Sequence, residues 1–211
     1  MIIGILWWTW RTGKELREAF LAKWFTVLSL IRHPEKFIAH HENDTYMIWN
    51  ATNKDDITTL IQKADILIDA TSVWFFHHTP TALYSSVAQA IIDARPAWKA
   101  KYLIVMSSAW THHGRHLPWP ANRGYEFFLG DVANDKEKAE ALLEASPISR
   151  TIIKSPMLTS GKAKSYKEIP FANYTPSLFD SITRKTLVDV VNDIINTTQK
   201  WQKQKVVAYE L

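Results

Sequence analysis

The sequence predicts one α/β domain, a doubly wound and mainly parallel sheet with helices on both faces. Short apolar runs of strand length alternate with segments whose apolar residues recur at helical spacing. Such alternation is the signature of βα units, whose right-handed crossovers make neighbouring strands parallel. At 211 residues the chain has the length of a single domain, 1–211, with a small substrate-side region in about 155–185.

The elements follow in order. Ile2–Leu6 reads as a buried strand. A helix from Lys14 to Lys23 carries Leu16, Phe20 and Leu21 on one face, and Lys23-Trp24-Phe25 turns into a second strand, Thr26–Ile31. Thr45–Ile48 is a short third strand. Asn53 caps the next helix, Asp55 and Asp56 favour its dipole, and Ile57, Leu60 and Ile61 form its buried stripe. A fourth strand, Ala64–Asp69, leads into the loop Ala70–Trp74. Thr79 and Pro80 read as N-cap and first residue of a helix that buries Leu83, Val87 and Ile91. Lys101–Met106 is a fifth strand. Residues 111–131 lack periodicity and read as a functional loop. A helix from Val132 to Glu144, a strand at Thr151–Lys154 and a turn at Pro156–Gly161 follow. A strand at Ala163–Ile169, an irregular aromatic stretch at Phe171–Phe179, a helix through Leu187–Ile195 and a strand at Val206–Tyr209 complete the chain.

Composition narrows the function classes. The net charge is a mild +4 with dispersed basic residues, which argues against a nucleic-acid surface. The absence of cysteine excludes disulfides and thiolate sites. No apolar run reaches the about 18 residues of a membrane span, and no basic region precedes the first apolar stretch. A cytoplasmic protein with a small-molecule substrate is expected, with no nucleic acid and no membrane as partner. It is expected to act as a monomer or homodimer. His112 and His116 are spaced for one helix face, but they sit in a loop-like segment without a nearby carboxylate, so no metal is expected.

The first strand, loop and helix have the layout of a dinucleotide-binding turn, whose backbone must approach a pyrophosphate. That loop calls for glycine, yet it reads Trp7-Trp8-Thr9-Trp10-Arg11-Thr12-Gly13. The chain has 6 Gly and 10 Trp. Tryptophans 7, 8, 10, 24, 49, 74, 98, 110 and 119 sit where a turn or close approach would call for glycine. With the 6 glycines they reach the roughly 15 that an average of about 7% gives for this length. Trp201, in Gln199-Lys200-Trp201-Gln202-Lys203, reads as a helix-surface residue. Random drift, deliberate design and a gene that uses UGA for glycine all compete as explanations; the last accounts for both the selectivity and the total.

Several stretches then resemble one family, in the right order along most of the chain. The loop aligns with G-[AG]-T-G-x-T-G, and Leu30–Lys36 with V-R-x-P-x-K. Trp49-Asn50-Ala51-Thr52 aligns with G-D-x-x, and Asp135–Glu140 with D-K-x-x-A-E. Thr151–Leu158 aligns with T-I-[VL]-R-P-x-x-L, and Val105–Ala109 with the end of the family's strand 5. The chain resembles the atypical short-chain dehydrogenases with an NAD(P)H-binding Rossmann domain, of the NmrA-like and flavin reductase/biliverdin reductase B types.

The resemblance implies cofactor contacts at Trp7, Trp8, Thr9, Trp10, Arg11, Thr12 and Gly13. It also implies them at Arg32, Lys36, Asn50, Ala51, Ala70, Thr71, Ser72, Ser107 and Pro156. Trp7 and Trp10 replace the first two fingerprint glycines, and Gly13 keeps the third. Arg32 stands where an NAD-specific protein carries an acid for the ribose, so NADP is expected over NAD. Ser108 aligns with a serine near the hydride acceptor, and Lys136 with the lysine of the Tyr-x-x-x-Lys pair, whose tyrosine position holds Val132. With no phenol to protonate a carbonyl, hydride transfer to a planar flavin- or quinone-like acceptor is the leading function. A non-catalytic NADP sensor of the NmrA type is the alternative, and an inactive scaffold a third. Tyr125, Phe127 and Phe128 are core aromatics or a wall for a planar substrate. With indoles in the loop, cofactor binding is expected to be impaired.

Overall fold

The computed structural model describes all residues except 7–10, 32–37, 40, 49, 73–80, 113, 115, 116, 118, 178 and 211. Of the predicted site, Trp7, Trp8, Thr9, Trp10, Arg32 and Lys36 therefore lie outside the described residues, as do Trp49, Trp74, Thr79, Pro80 and His116.

The strands are β1 (Ile2–Leu6), β2 (Thr26–Ile31), β3 (Asp44–Ile48), β4 (Ile66–Asp69), β5 (Tyr102–Ser108) and β6 (Arg150–Ser155). They continue as β7 (Met157–Thr159), β8 (Tyr166–Pro170), β9 (Ser181–Thr183) and β10 (Gln204–Glu210). The helices are α1 (Arg11–Ala22), α2 (Lys54–Lys63), α3 (Leu83–Asp93), α4 (Ala121–Ala145), α5 (Arg184–Asn196) and α6 (Thr198–Trp201). Eight strands form one sheet in the order β3-β2-β1-β4-β5-β6-β10-β8. All neighbours are parallel except β10 and β8. β7 and β9 form a small parallel pair beside it.

Two cores cover the two faces of this doubly wound sheet. Leu16 and Phe20 of α1 pack with Leu187, Val190, Val191 and Ile194 of α5 against Ile3, Ile5 and Ile104. Ile57, Leu60 and Ile61 of α2, Val87 and Ile91 of α3 and Leu143 of α4 pack against Leu6, Leu28 and Leu103. Strands apolar on both faces are what a parallel sheet covered by helices requires. Arg17 of α1, 1% exposed, crosses beneath β2 to β3: its Nε donates to Asp44 Oδ1 at 2.9 Å and its Nη2 to the Ile38 carbonyl at 2.6 Å.

Several elements differ from expectation, each for a physical reason. α1 begins at Arg11, so Arg11, Thr12 and Gly13 form its first turn rather than loop. α3 begins at Leu83, and its first amides are capped from outside. Tyr84 N and Ser85 N donate to Asp135 of α4 at 2.8 and 3.1 Å. Asn53 caps α2 as expected, accepting from Asp55 N and Asp56 N. α4 starts at Ala121, well before Val132, and most of the expected loop is its first half. There Phe128, Leu129 and Val132 face a cavity while Phe127 is exposed, so no single apolar stripe marks the helix. Pro156–Gly161 is not simply a turn, since Met157–Thr159 pairs with β9. Trp201 is not a surface residue: it is 3% exposed within the core, and its Nε1 donates to Thr197 Oγ1 at 3.0 Å.

Trp24 ends α1 with φ +63°. Phe25 N donates to Phe20 O at 3.1 Å and Trp24 N to Leu21 O at 3.0 Å, the paired bonds of a Schellman motif, in which Trp24 holds the left-handed position that favours glycine. Its indole is 74% exposed. Trp98 differs, with φ −67° and its side chain packed on the core. Neither Trp110 nor Trp119 has positive φ. Trp24→Gly is therefore expected to raise stability by about 1 kcal/mol, and Trp98→Gly to lower it, as read from urea midpoints. Asp44→Ala, which removes the buried acid facing Arg17, should cost about 3–5 kcal/mol in the same measurement.

Candidate active site

The sheet order reverses between β1 and β4. Crossovers leave these strands toward opposite faces, and a crevice opens at their carboxyl ends. A cavity of about 680 Å³ lies there. Eight predicted residues line it: Thr12, Ala70, Thr71 and Ser72 on the β1–β4 side, then Ser107, Ser108, Lys136 and Pro156. Their convergence follows from the register, because Leu6 pairs with Asp69 and Ser108 with Ser155, so those strands end together. Asn50 and Ala51 do not line it. Ala51 is 5% exposed, and Asn50 N donates to Asp56 Oδ2 at 2.8 Å beside the start of α2. Arg11 is exposed and Gly13 buried in the first turn of α1.

The far wall is apolar. Leu117, Tyr125, Phe128, Leu129 and Val132 line it with Met157 and Leu158 from the small strand pair. Tyr125 is fixed by its hydroxyl, which donates to the Trp110 carbonyl at 2.9 Å, and Phe127 stays outside, 70% exposed. Val132 lines the cavity where a dehydrogenase tyrosine is expected. Lys136, one turn on, stands 4.8 Å from the Tyr84 ring centroid.

Beneath the cavity floor lies a buried cluster of charges. Lys154 of β6 is fully buried, and its Nζ donates to Glu140 Oε1 and Oε2 of α4 at 2.8 and 2.9 Å. It also donates to Thr111 Oγ1. The Ser107 hydroxyl donates to Glu140 Oε1. Burial alone would raise the Glu140 carboxyl, but the Lys154 ammonium, the Ser107 hydroxyl and Lys205 together outweigh it and hold the group below its ordinary range. Burial pushes the Asp69 carboxyl up, with Thr71 and Lys136 acting in the opposite sense.

His112 was expected to lack a carboxylate partner. Instead its Nδ1 lies 3.6 Å from Glu137 and its Nε2 3.9 Å from Glu140. Among the described residues no group of three His, Cys, Asp or Glu side chains is placed to hold a metal. Burial lowers the histidine's proton affinity despite Glu137.

Glu140, Lys154, Thr111 and Arg184 are the site residues that spacing did not reveal. Glu140 and Lys154 are 14 positions apart and belong to amphipathic segments where a charge reads as surface. Arg184 opens α5 and lines the cavity beside Thr12, with Nη1 donating to the Thr159 carbonyl at 2.9 Å. Burial and then the nearby Arg11 guanidinium disfavour its charge, and Glu15 partly offsets them.

Among the described residues, one buried polar atom of the lining, Arg184 Nε, has no hydrogen-bond partner. Unsatisfied buried groups call for a polar ligand or water. An anionic dinucleotide fits that demand at the positive end of α1, in the cavity that Thr12 and Arg184 both line.

Comparisons with known proteins agree with this fold. No curated protein matches the chain. A short-chain dehydrogenase/reductase from Veillonella parvula DSM 2008, solved in complex with NADP, superposes with a TM-score of 0.81 at 16% identity, covering 99% of this chain and 94% of that one. The anaerobillin reductase ChuY from Escherichia coli O157:H7 gives a TM-score of 0.81 at 15% identity, covering 100% and 97%. A Rossmann-fold NAD(P)-binding family protein from Shigella flexneri gives 0.73 at 18%, covering 99% and 93%. At such identities the likeness shows the Rossmann fold. The profile of the NAD(P)H-binding family matches residues 9–198, nearly the whole chain, and on that match the chain belongs to the NAD(P)H-binding family.

Proposed function

We propose that the chain is an NADPH-dependent reductase of a small planar acceptor, flavin- or quinone-like, acting in the cytoplasm as a monomer or homodimer. The observation that carries this reading is the cavity itself. One wall is hydroxyl-lined, from Thr71, Ser72, Ser107 and Ser108, and lies at the switch point; the other is aromatic and aliphatic. A nicotinamide against the first wall would leave a flat apolar slot beside it for the acceptor. The neutral Val132 at the expected tyrosine position favours an acceptor that needs no phenolic acid. A relative solved with NADP and another that is an anaerobillin reductase are in keeping with this reading.

Thr12, Ala70, Thr71, Ser72 and Pro156 would hold the cofactor, with Ser107 and Ser108 beside its nicotinamide, which supplies hydride when bound. Lys136 supplies positive charge at the cavity edge. Arg32 follows directly on β2, which neighbours β1 and ends at Ile31. In a Rossmann protein the residue that follows this strand in sequence meets the 2′-substituent of the adenosine ribose; an arginine there, although outside the described residues, supports proposing NADP over NAD.

Glycine at the nine tryptophan positions of the natural protein is the companion proposal. Trp24, at φ +63° in a glycine position, supports it, and the core burial of Trp201 supports keeping that residue apart from the nine. Trp98, with φ −67°, gives it no conformational support. UGA at the nine codons and UGG at codon 201 is the expected gene sequence; UGG at most of the nine would end the proposal.

Isothermal titration tests the cofactor reading. The chain as written should bind NADPH at millimolar affinity or not at all, because indoles at 7, 8 and 10 would compete for the volume a pyrophosphate needs in a loop that calls for glycine. Changing Trp7, Trp8 and Trp10 to Gly should restore binding and favour NADPH over NADH. Arg32→Ala should then remove about 1.5–3 kcal/mol from NADPH alone. Micromolar binding by the unaltered chain would contradict the role given to the loop. Tight binding without oxidation of NADPH by flavins or quinones would favour the NADP-sensing alternative.

A further inference from the structure

A continuous line of polar groups runs from the cavity to the surface. β6 pairs with β10 so that Ile152 opposes Lys205 and Lys154 opposes Val207, which puts Lys154 and Lys205 on one face of the sheet. Glu140 lies against that face. Its carboxylate receives both lysines, Lys154 at 2.8 and 2.9 Å and Lys205 at 3.2 Å. Lys205 reaches Glu144 at 2.6 Å, and Glu144 is 42% exposed to solvent. At the other end Lys154 donates to the hydroxyl of Thr111, which lines the cavity.

On the reductase reading above, we propose that Lys154 is the proton reservoir for the reduction, delivering its ammonium proton to the acceptor through Thr111 and regaining it from solvent through Lys205 and Glu140. The balance is simple. Two electrons and one hydrogen reach the acceptor as hydride from the nicotinamide. The Thr111 hydroxyl, which donates to the Ser108 carbonyl at 2.8 Å in this structure, turns to the resulting acceptor anion and gives it its proton while Thr111 takes one from Lys154 Nζ. Lys154 is left neutral, and a solvent proton passing Lys205 and Glu140 recharges it. One NADPH, one acceptor and one proton are consumed.

Three observations favour a proton donor here over a purely structural charge. The cavity has valine at the usual position of the phenolic acid. Lys154 Nζ bridges the Glu140 carboxylate and the Thr111 hydroxyl of the cavity lining, so its proton has a hydrogen-bonded way out, and a lysine can release that proton where an arginine would keep it. Burial pushes the Lys154 ammonium down to about 8, although Glu140 pulls it upward. A donor titrating near working pH is the kind that general acid catalysis requires. The groups facing it are Glu140 and Lys136 of α4, Lys205 of β10, and Thr111 and His112 after β5. The Phe171 ring lies 4.3 Å from its Nζ.

Lys154→Arg tests this with charge and burial retained. In the Trp7→Gly/Trp8→Gly/Trp10→Gly chain, NADPH oxidation would be followed with menadione and riboflavin as acceptors across pH 6 to 10. The parent's kcat should fall as pH rises through about 8. Lys154→Arg should lower kcat by about 100-fold, remove that limb and leave KM within about threefold. Thr111→Val, which leaves the buried charges in place, should lower kcat similarly. Without cofactor, the Lys154 ammonium followed by 15N NMR should lose its proton near 8 rather than at the ordinary 10.5. Parent turnover with an unchanged Lys154→Arg profile would overturn the relay and leave the reductase reading standing. An ammonium midpoint above 10 would also overturn it. No turnover in the parent with either acceptor would remove the reductase reading and the relay together.

Discussion

A right-twisted parallel sheet that winds outward in both directions from β1 must send the crossovers after β1 and β4 to opposite faces. At the carboxyl ends of those two strands such a switch leaves a crevice. The rest of the site depends on that gap. α1 starts beside it, so the positive end of its dipole faces whatever enters. β5 and β6 end beside it in register, bringing the Ser107–Ser155 edge to the same depth. The small β7–β9 pair holds Arg184 at the cavity, through its bond to the Thr159 carbonyl.

Beneath the gap, the protein carries a charged cluster that a parallel sheet would normally exclude. A buried lysine is tolerated only with a carboxylate in direct contact, and Glu140 supplies it from the middle of α4. The same carboxylate fixes the Ser107 hydroxyl. Structure and chemistry are thus tied together in this floor: the groups that make burial of Lys154 affordable also connect it to the cavity and to water.

Much of this was legible in the residues, for reasons specific to each element. β1 and β2 are runs of buried apolar residues bounded by turns, so their limits are those expected. α2 shows its stripe and its Asn53 cap in plain spacing. The positions of the hydroxyl wall, Thr71, Ser72, Ser107 and Ser108 at strand ends, were legible too, through the family resemblance. The first half of α4 was not, because its apolar side chains serve a cavity on one side and solvent on the other, which erases the single stripe. The cap of α3 comes from Asp135, 51 positions from Tyr84, beyond any local pattern. Trp201 is flanked by polar residues, and only tertiary packing under α5 shows that its indole is buried. Trp24 is the opposite case: composition marked it as a position where glycine is expected, and its backbone has the left-handed conformation that favours glycine.

The central claim is that the crevice between β1 and β4 is where the nicotinamide cofactor lies. A crystal structure of the Trp7→Gly/Trp8→Gly/Trp10→Gly chain grown with NADP is the most direct measurement of it. The account predicts the pyrophosphate at the first turn of α1 near Thr12 and Arg184, with the nicotinamide beside Ser107 and Ser108. Nucleotide bound away from the carboxyl ends of β1 and β4, for example in the shallow groove between α3 and α4 near Gln89 and Arg95, would contradict it.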